Sequence, residues 1–260
     1  MADDTSLASA MPAASLIVFR RGPDAPELLM VRRSDRLVFG GGATVFPGGR
    51  VDPGDHHLAR DLPGDPDWNA ARVACIRETL EETGLLLGVT GRVELSVAER
   101  LRAALHAGET FGECLRAYDL ALDLERLVPF ARWYPPERVV RRFDTRFLLT
   151  DIGTGAVSLS ADGSETAAQF WASAPRLLAM GDEGALRLMF PTRANITRIA
   201  RLGSFDAARE DSLRRGVAPV TGKVMERDGQ RWLTVSDGGG YDGYAEPLET
   251  ALRGEGAGKD

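Results

Sequence analysis

Cysteine is scarce in this chain: its 260 residues contain only Cys75 and Cys114. Two thiols so far apart in the sequence form neither a disulfide framework nor a zinc cluster of several cysteines. The scarcity therefore excludes a small disulfide-stabilised scaffold, and free thiols are typical of a protein in a reducing compartment.

Long hydrophobic runs are also lacking. No apolar stretch approaches the roughly 20 residues that a helix needs to cross a bilayer. The chain opens with Asp3 and Asp4, where a secretory signal would carry positive charge. We therefore expect no membrane partner and a cytoplasmic protein, whose residues 1–11 form a flexible leader.

An excess of positive charge is absent as well. The chain carries 32 Lys and Arg residues against 38 Asp and Glu residues, for a formal net charge of -6. Since nonspecific binding of nucleic acid requires a basic surface, we expect no nucleic-acid partner. A hydrophobic content of 43% is typical of a globular chain with a packed core, and the acidic balance favours a small soluble substrate.

The apolar patterning predicts a mixed α/β fold in one domain with a helical insertion. Short apolar runs predict strands at 15–20, 28–31, 127–134 and 142–151, and a hairpin at 221–235 that turns at Asp228-Gly229. Helical periodicity predicts helices at 70–83, 96–107, 111–119, 166–180 and 183–202, of which the second and third form the insertion over about 96–120.

Glycine, proline and acidic residues set the expected boundaries. Their density between residues 47 and 67 predicts a long loop without regular structure. Asn69 is a suitable N-cap for the helix that follows, Gly84 stands where a glycine commonly ends a helix, and Pro191 is expected to interrupt a later helix. We expect one domain over residues 12–235 and a flexible C-terminal tail over residues 236–260.

The most informative segment is Arg-Glu-Thr-Leu-Glu-Glu-Thr-Gly-Leu at residues 77–85. On a helix, Glu78, Glu81 and Glu82 share one face, where like charges so spaced destabilise the helix. Arg77 can pair with Glu81 but cannot neutralise three acids. A hard divalent cation that bridges the carboxylates to substrate phosphates is the natural completion, although a solvated acidic surface is the alternative.

This segment resembles the Nudix box, in which a Gly and a Glu precede the motif Arg-Glu-x-x-Glu-Glu-x-Gly-apolar. The second half matches residue for residue, and Phe46-Pro47-Gly48-Gly49 precedes it. In the first half Asp55 replaces the Glu, and 21 residues rather than seven separate it from Arg77. Lengthening a loop costs little once its ends are held, and the long spacer is similar to that of the Nudix branch typified by animal peroxisomal coenzyme A diphosphatases.

The resemblance implies an α/β/α sandwich with a mixed sheet and hydrolysis of a nucleoside diphosphate linked to another moiety. The similar branch points to CoA or acyl-CoA as substrate, with 3′,5′-ADP and 4′-phosphopantetheine as products. The coenzyme A signature of some members is matched at Gly42 but has Val38 in place of Arg. ADP-ribose, NADH or a nucleotide sugar is therefore an alternative substrate, and a non-catalytic ligand sensor is a third reading, which the retained glutamates disfavour.

The resemblance also implies roles for individual residues. Arg77, Glu78 and Glu81 would be the catalytic residues, with Glu78 either a metal ligand or the base that activates water, and Arg77 orienting that carboxylate. The glutamate that acts as the base differs among Nudix enzymes, so the resemblance leaves it open. Glu78, Glu81 and Glu82, together with the carbonyl of Gly49, would bind Mg²⁺ or Mn²⁺. A homodimer is compatible with the sequence.

Weaker candidates surround these positions. Arg32, Arg33 and Arg36 follow the second predicted strand and could bind a phosphate by bidentate contacts. Gly48 would let the backbone approach the phosphates, and Glu165 is a candidate for a further acid. For each of them an ordinary turn or surface residue is an equally good interpretation.

Overall fold

The computed structural model describes residues 10–36, 40–90, 93–135, 143–154, 166–235 and 238–255, with side chains up to residue 252. Its strands are β1 (Met11–Arg20), β2 (Glu27–Arg33), β3 (Thr44–Val45), β4 (Gly48–Arg50), β5 (Val128–Trp133), β6 (Phe143–Asp151), β7 (Thr166–Ser173), β8 (Pro219–Val220), β9 (Gly222–Arg227), β10 (Gln230–Val235) and β11 (Ala245–Pro247). Its helices are α1 (Pro53–Ala59), α2 (Pro66–Thr83), α3 (Leu95–His106), α4 (Phe111–Ala117), α5 (Ala174–Asp182), α6 (Phe190–Leu202), α7 (Phe205–Arg215) and α8 (Leu248–Glu255), with a 3₁₀ turn at Leu124–Arg126.

A mixed sheet of eight strands forms the centre of the fold. Its main path runs β3-β2-β1-β6-β5-β8, with β4 paired to β1 and β7 paired to β2. Strands β1 and β6 are parallel, whereas β1 pairs with β2 and β4 in the antiparallel sense. The short strand β4 is therefore held along β1, which fixes its glycines beside the helix that carries the glutamates. A separate antiparallel sheet of three strands has the order β11-β10-β9.

Helices cover both faces of the large sheet, as the alternation along β1 shows. Leu16 and Val18 belong to a core cluster that includes the apolar side of α2, α3 and α4, whereas Ile17 and Phe19 belong to a cluster that includes α5, α6 and α7. Successive strand residues point to opposite faces, so each face buries its own set. The predicted α/β/α fold class is confirmed.

Helix α2 has the ends that its local sequence requires. The side chain of Asp65 accepts a hydrogen bond from Trp68 N, and Pro66 occupies the first turn, so the helix starts earlier than predicted. Asn69 is inside the helix, where its amide contacts the carbonyls of residues 62 and 63. Gly84 ends the helix with a φ of 75°, as predicted.

Other helix predictions need correction. The segment predicted as an irregular loop contains α1, because the Asp55 carboxylate accepts a hydrogen bond from Asp52 N and caps its first turn. The first half of the predicted helix at 166–180 is strand β7, since pairing with β2 decides its conformation. Pro191 starts α6 instead of interrupting a helix, and α7 was not predicted.

The remaining elements match the prediction more closely. The hairpin of β9 and β10 turns at Asp228 and Gly229, both with positive φ, and α3 and α4 occupy the expected helical insertion. The expected C-terminal tail contains β11 and α8, and its Tyr241 and Ala251 are buried in the core. None of the described helices is long and apolar enough to cross a membrane.

Candidate active site

The glycines of β4 bring the backbone against the acidic helix. Gly48 has a φ of 152°, and a Cβ there would lie 2.2 Å from the carbonyl oxygen of Ala14 on β1. At Gly49 a Cβ would lie 2.4 Å from the carboxyl carbon of Glu78. Both distances are far below any tolerated contact, so Gly48 is required for the close pairing of β4 with β1, and a side chain at Gly49 would displace the Glu78 carboxylate on α2.

A single guanidinium organises the surrounding acids. Arg77 donates to Asp55 through Nε at 3.0 Å and through Nη2 at 2.8 Å, a bidentate pair. Its Nη1 donates to Glu78 Oε1 at 2.8 Å and, more weakly, to Glu81 Oε1 at 3.4 Å. Nη2 also donates to the carbonyl of Arg50 at 3.0 Å. Arg77 thus connects α1, the end of β4 and the acidic face of α2.

Asp55 holds the partner position for Arg77 despite its shorter side chain. The long spacer contains α1, which delivers the Asp55 carboxylate directly to the guanidinium, and only 1% of Asp55 is exposed. Burial alone would lower the pKa of Arg77, but hydrogen bonding to Asp55 and the charges of Glu78 and Asp55 outweigh it and raise that pKa. The guanidinium is therefore permanently charged.

The carboxylates of Glu78 and Glu82 are held in different ways. Burial raises the pKa of Glu78 to about 7, against the opposing charge of Arg77 and with a smaller upward contribution from Glu81. Glu82 is buried, and its Oε2 accepts a hydrogen bond from Gly48 N at 3.0 Å. Both side chains therefore face the backbone of β4.

A cavity of about 480 Å³ opens beside these carboxylates. Glu78, Glu82 and the residues of β4 form part of its lining, and apolar residues from β3, β6 and the start of α6 form another part. The large apolar residues of that second part are Val45, Phe46, Phe143, Phe147, Met189 and Pro191. The cavity can therefore take a ligand that has both a charged part and an apolar part.

The predicted phosphate-binding arginines are placed differently from one another. Arg33 lines the cavity, and its buried Nε has no hydrogen-bond acceptor among the described residues. Arg32 is exposed, with its Nη2 at 3.6 Å from Asp35 Oδ2, and Arg36 is also exposed. Glu165 lies outside the described residues.

Two contacts at the end of α2 carry no local sequence signal. Arg102 on α3 donates through Nε to the carbonyl oxygen of Glu81 at 2.8 Å and through Nη2 to that of Glu82 at 3.3 Å. Gln169 on β7 donates to the same carbonyl of Glu82. Neither residue could be found from spacing, because the fold brings each of them to α2 from a distant part of the chain.

The donor set suits a hard divalent cation. Glu78, Glu81 and Glu82 share one face of α2, and all the donors are oxygens, which such cations prefer. Among the described residues, no three His, Cys, Asp or Glu side chains lie close enough together to bind one metal ion as they stand. The glutamates instead accept hydrogen bonds from Arg77 and Gly48. The buried charge of Glu78 is only partly compensated by Arg77, so an added cation fits the chemistry of the site.

Comparison with known proteins decides the family. The NUDIX domain model matches residues 10–149, more than half of the chain. The chain belongs to the Nudix hydrolase family. This Nudix hydrolase is 31% identical to one from Alicyclobacillus acidocaldarius, whose crystal structure superimposes with a TM-score of 0.69 and covers 78% of this chain and 96% of that one. It is also 26% identical to the acyl-coenzyme A diphosphatase NUDT19 of Gallus gallus, over 83% of this chain and 69% of the relative.

Family membership accounts for the arrangement around Arg77. This chain is a hydrolase of diphosphate bonds, and enzymes of this family generally use divalent metal ions and small-molecule substrates. Of the residues that match the second half of the Nudix box, Glu78 and Glu82 line the cavity, and Arg77 and Glu81 are hydrogen-bonded next to them. Asp55 joins them from α1, in the place where the pattern has a Glu.

Proposed function

We propose that this Nudix hydrolase cleaves the diphosphate of CoA or acyl-CoA and releases 3′,5′-ADP and the 4′-phosphopantetheine or its acyl derivative. The observation that carries the proposal is the cavity, which is lined both by glutamates of α2 and by apolar residues. A diphosphate with a long, largely apolar arm matches these two kinds of lining. The resemblance to the acyl-coenzyme A diphosphatase of Gallus gallus supports the same substrate class.

The chain's own residues would have separate roles in the hydrolysis. Hydrolysis forms a new P–O bond from water, breaks the bond to the bridging oxygen and passes a proton of that water to a base. Glu78 and Glu81 are the two candidates for that base, and Arg77 orients both carboxylates.

Glu78, Glu81, Glu82 and the carbonyl of Gly49 would hold Mg²⁺ or Mn²⁺. When bound, the cation supplies positive charge that offsets the negative charge of the diphosphate. Gly48 and Gly49 keep the β4 backbone free of side chains where the phosphates would approach.

Arg33 is the arginine that we assign to a substrate phosphate. Its guanidinium lines the cavity, and its planar set of donors matches the oxygens of a phosphate. The 3′-phosphate of the CoA nucleotide is the group that distinguishes CoA from ADP-ribose and NADH, so Arg33 would contribute to that discrimination. Arg32 and Arg36 are exposed, which makes them the matched comparison.

The experiment is a substrate panel. The purified protein is incubated with Mg²⁺ or Mn²⁺ and CoA, acetyl-CoA, a long-chain acyl-CoA, ADP-ribose or NADH, and kcat/KM is measured from chromatographed products. We expect 3′,5′-ADP from the CoA compounds, no turnover by Glu81→Gln, and a loss of CoA preference in Arg33→Ala but not in Arg36→Ala.

Other outcomes of the substrate panel would support the alternative functions. Turnover confined to ADP-ribose or NADH would make the protein a dinucleotide or nucleotide-sugar diphosphatase, and binding without turnover would make it a ligand sensor. The homodimer and the cytoplasmic location stay predictions from the sequence.

A further inference from the structure

Helix α2 ends without the cation that a helix C-terminus favours. Its last carbonyls carry partial negative charge, and the final turn contains Glu81 and Glu82 but no basic residue. Three glutamates on one face add repulsion at the same end. Stability of this turn therefore depends on positive charge and hydrogen-bond donors from elsewhere in the fold.

Two other elements supply these donors. Arg102 of α3 reaches the carbonyls of Glu81 and Glu82 at 2.8 and 3.3 Å, and Gln169 of β7 reaches that of Glu82. The Glu82 side chain is itself fixed by Gly48 N. Glu82 is thus held at its backbone by α3 and β7, and at its carboxylate by β4.

We propose that Arg102 is a positioning residue, which acts from the helical insertion to fix the last turn of α2 and so the carboxylates of Glu81 and Glu82. The inference rests on the proposed role of those glutamates as metal ligands. It gives the insertion a function: α3 packs on α2 through buried Ala98 and Leu101 and presents Arg102 to the end of the helix. Residues that support metal ligands in this way strongly affect metal affinity.

The chain offers two matched controls on α3. Arg100 is exposed, so Arg100→Ala removes the same charge without removing a contact to α2. Leu101 is fully buried, so Leu101→Ala weakens the packing of α3 but keeps the Arg102 side chain itself. Arg102→Lys keeps the charge but loses the forked geometry.

The test measures Mn²⁺ binding to the full chain without substrate, by the electron paramagnetic resonance signal of free Mn²⁺, together with kcat, KM and Tm. We expect Arg102→Ala to weaken Mn²⁺ binding about tenfold and to lower kcat with KM unchanged. Arg102→Lys should restore part of both, Arg100→Ala should match the wild type, and Leu101→Ala should lower Tm without changing the Kd for Mn²⁺.

Two results would overturn the positioning role of Arg102. One is equal Kd for Mn²⁺ and equal kcat in Arg102→Ala and the wild type, and the other is the same loss of Mn²⁺ affinity in Leu101→Ala.

The proposed substrate is tested separately, because wild-type protein that binds Mn²⁺ but hydrolyses only ADP-ribose contradicts the CoA assignment alone. Wild-type protein that binds no Mn²⁺ contradicts both the metal ligands and the role of Arg102.

Discussion

Arg77 shows how much of the site depends on one side chain. Its five N–H donors are directed to Asp55, Glu78, Glu81 and the carbonyl of Arg50, so the guanidinium sets the position of the acidic face. Asp55 is the buried end of this network. Breaking a buried ion pair from one side leaves an uncompensated charge, which is strongly destabilising.

Replacing Asp55 with Asn should therefore reduce both stability and activity. We expect the free energy of unfolding of Asp55→Asn to fall by about 3 kcal/mol, and kcat/KM to fall because Arg77 no longer holds the glutamates. Denaturant unfolding and steady-state kinetics measure the two effects. Asp52→Asn is the control, since the Asp52 side chain is largely exposed and its Oδ2 is 3.7 Å from Arg77 Nη2. Equal free energies of unfolding and equal kcat/KM in the two variants would refute the role of Asp55.

Gly49 allows a second test at a single residue. The Cβ of Gly49→Ala would lie 2.4 Å from the Glu78 carboxyl carbon, so Glu78 or β4 must move. A displacement of about 1 Å in a catalytic group can cost about 100-fold in rate, and we expect a loss of that order in kcat. Gly54→Ala on α1 is the control because its Cβ would meet open space. Wild-type kcat in Gly49→Ala would contradict the close approach.

Residue-scale chemistry was the most predictable part of the site. The acids at 78, 81 and 82 and their arginine lie within six consecutive residues, so helical spacing alone places them on one face. The contact of Asp55 with Arg77 could not be predicted in the same way, because a sequence does not show that its acidic spacer folds into α1. The sequence around Arg102 does not indicate its role, because its contact with α2 depends on how the helical insertion packs.

At the scale of elements, α6 and α7 are joined by a buried ion pair. Arg198 Nη2 donates to Asp211 Oδ2 at 2.9 Å, and Arg215 Nε donates to its Oδ1 at 2.9 Å. Burial alone would raise the pKa of Asp211, but these hydrogen bonds and charges outweigh it and lower the pKa to about 2. Helix α6 is thereby fixed to α7, and Arg198 Nη1 also donates to the carbonyl oxygen of Phe130 on β5 at 3.1 Å.

This pair predicts an acid-dependent loss of stability. A carboxyl group whose pKa is lowered on folding stabilises the native state above its ordinary pKa, and the contribution disappears as pH falls through the native value. Between about pH 4 and pH 2 we expect Asp211 to lose about 2 kcal/mol of stabilisation. Urea unfolding of the wild type and Asp211→Asn across this range measures this loss. The difference between their free energies of unfolding should become smaller as the pH falls, and a constant difference would contradict the role of the Arg198–Asp211 pair.

Elements were predictable where their signals are local. The hairpin of β9 and β10, the end of α2 at Gly84 and the helices of the insertion follow from turn residues, capping and periodicity. The periodicity at 166–173 predicts a helix where the structure has β7, because pairing with β2 is a tertiary effect that the local sequence does not display. Pro191 lies in the first turn of α6, where proline is favoured, and does not interrupt a helix.

At the scale of the whole molecule, the cavity combines parts that are distant in sequence. Glu78 and Glu82 come from α2, Phe143 and Phe147 from β6, and Met189 from the segment before α6. The parallel pairing of β1 with β6 and the antiparallel pairing of β1 with β4 bring them together. Sequence patterns could predict the glutamates of this cavity, but its apolar lining is assembled only in the folded chain.

The central claim is that the protein cleaves the diphosphate of CoA between its two phosphorus atoms. ³¹P nuclear magnetic resonance of CoA incubated with the wild-type protein and Mg²⁺ tests it most directly. We predict that the diphosphate resonances disappear and that two new phosphomonoester resonances replace them, while the 3′-phosphate resonance persists and a chelator stops the change. Diphosphate resonances that persist, under conditions where ADP-ribose or NADH is hydrolysed, would contradict the claim.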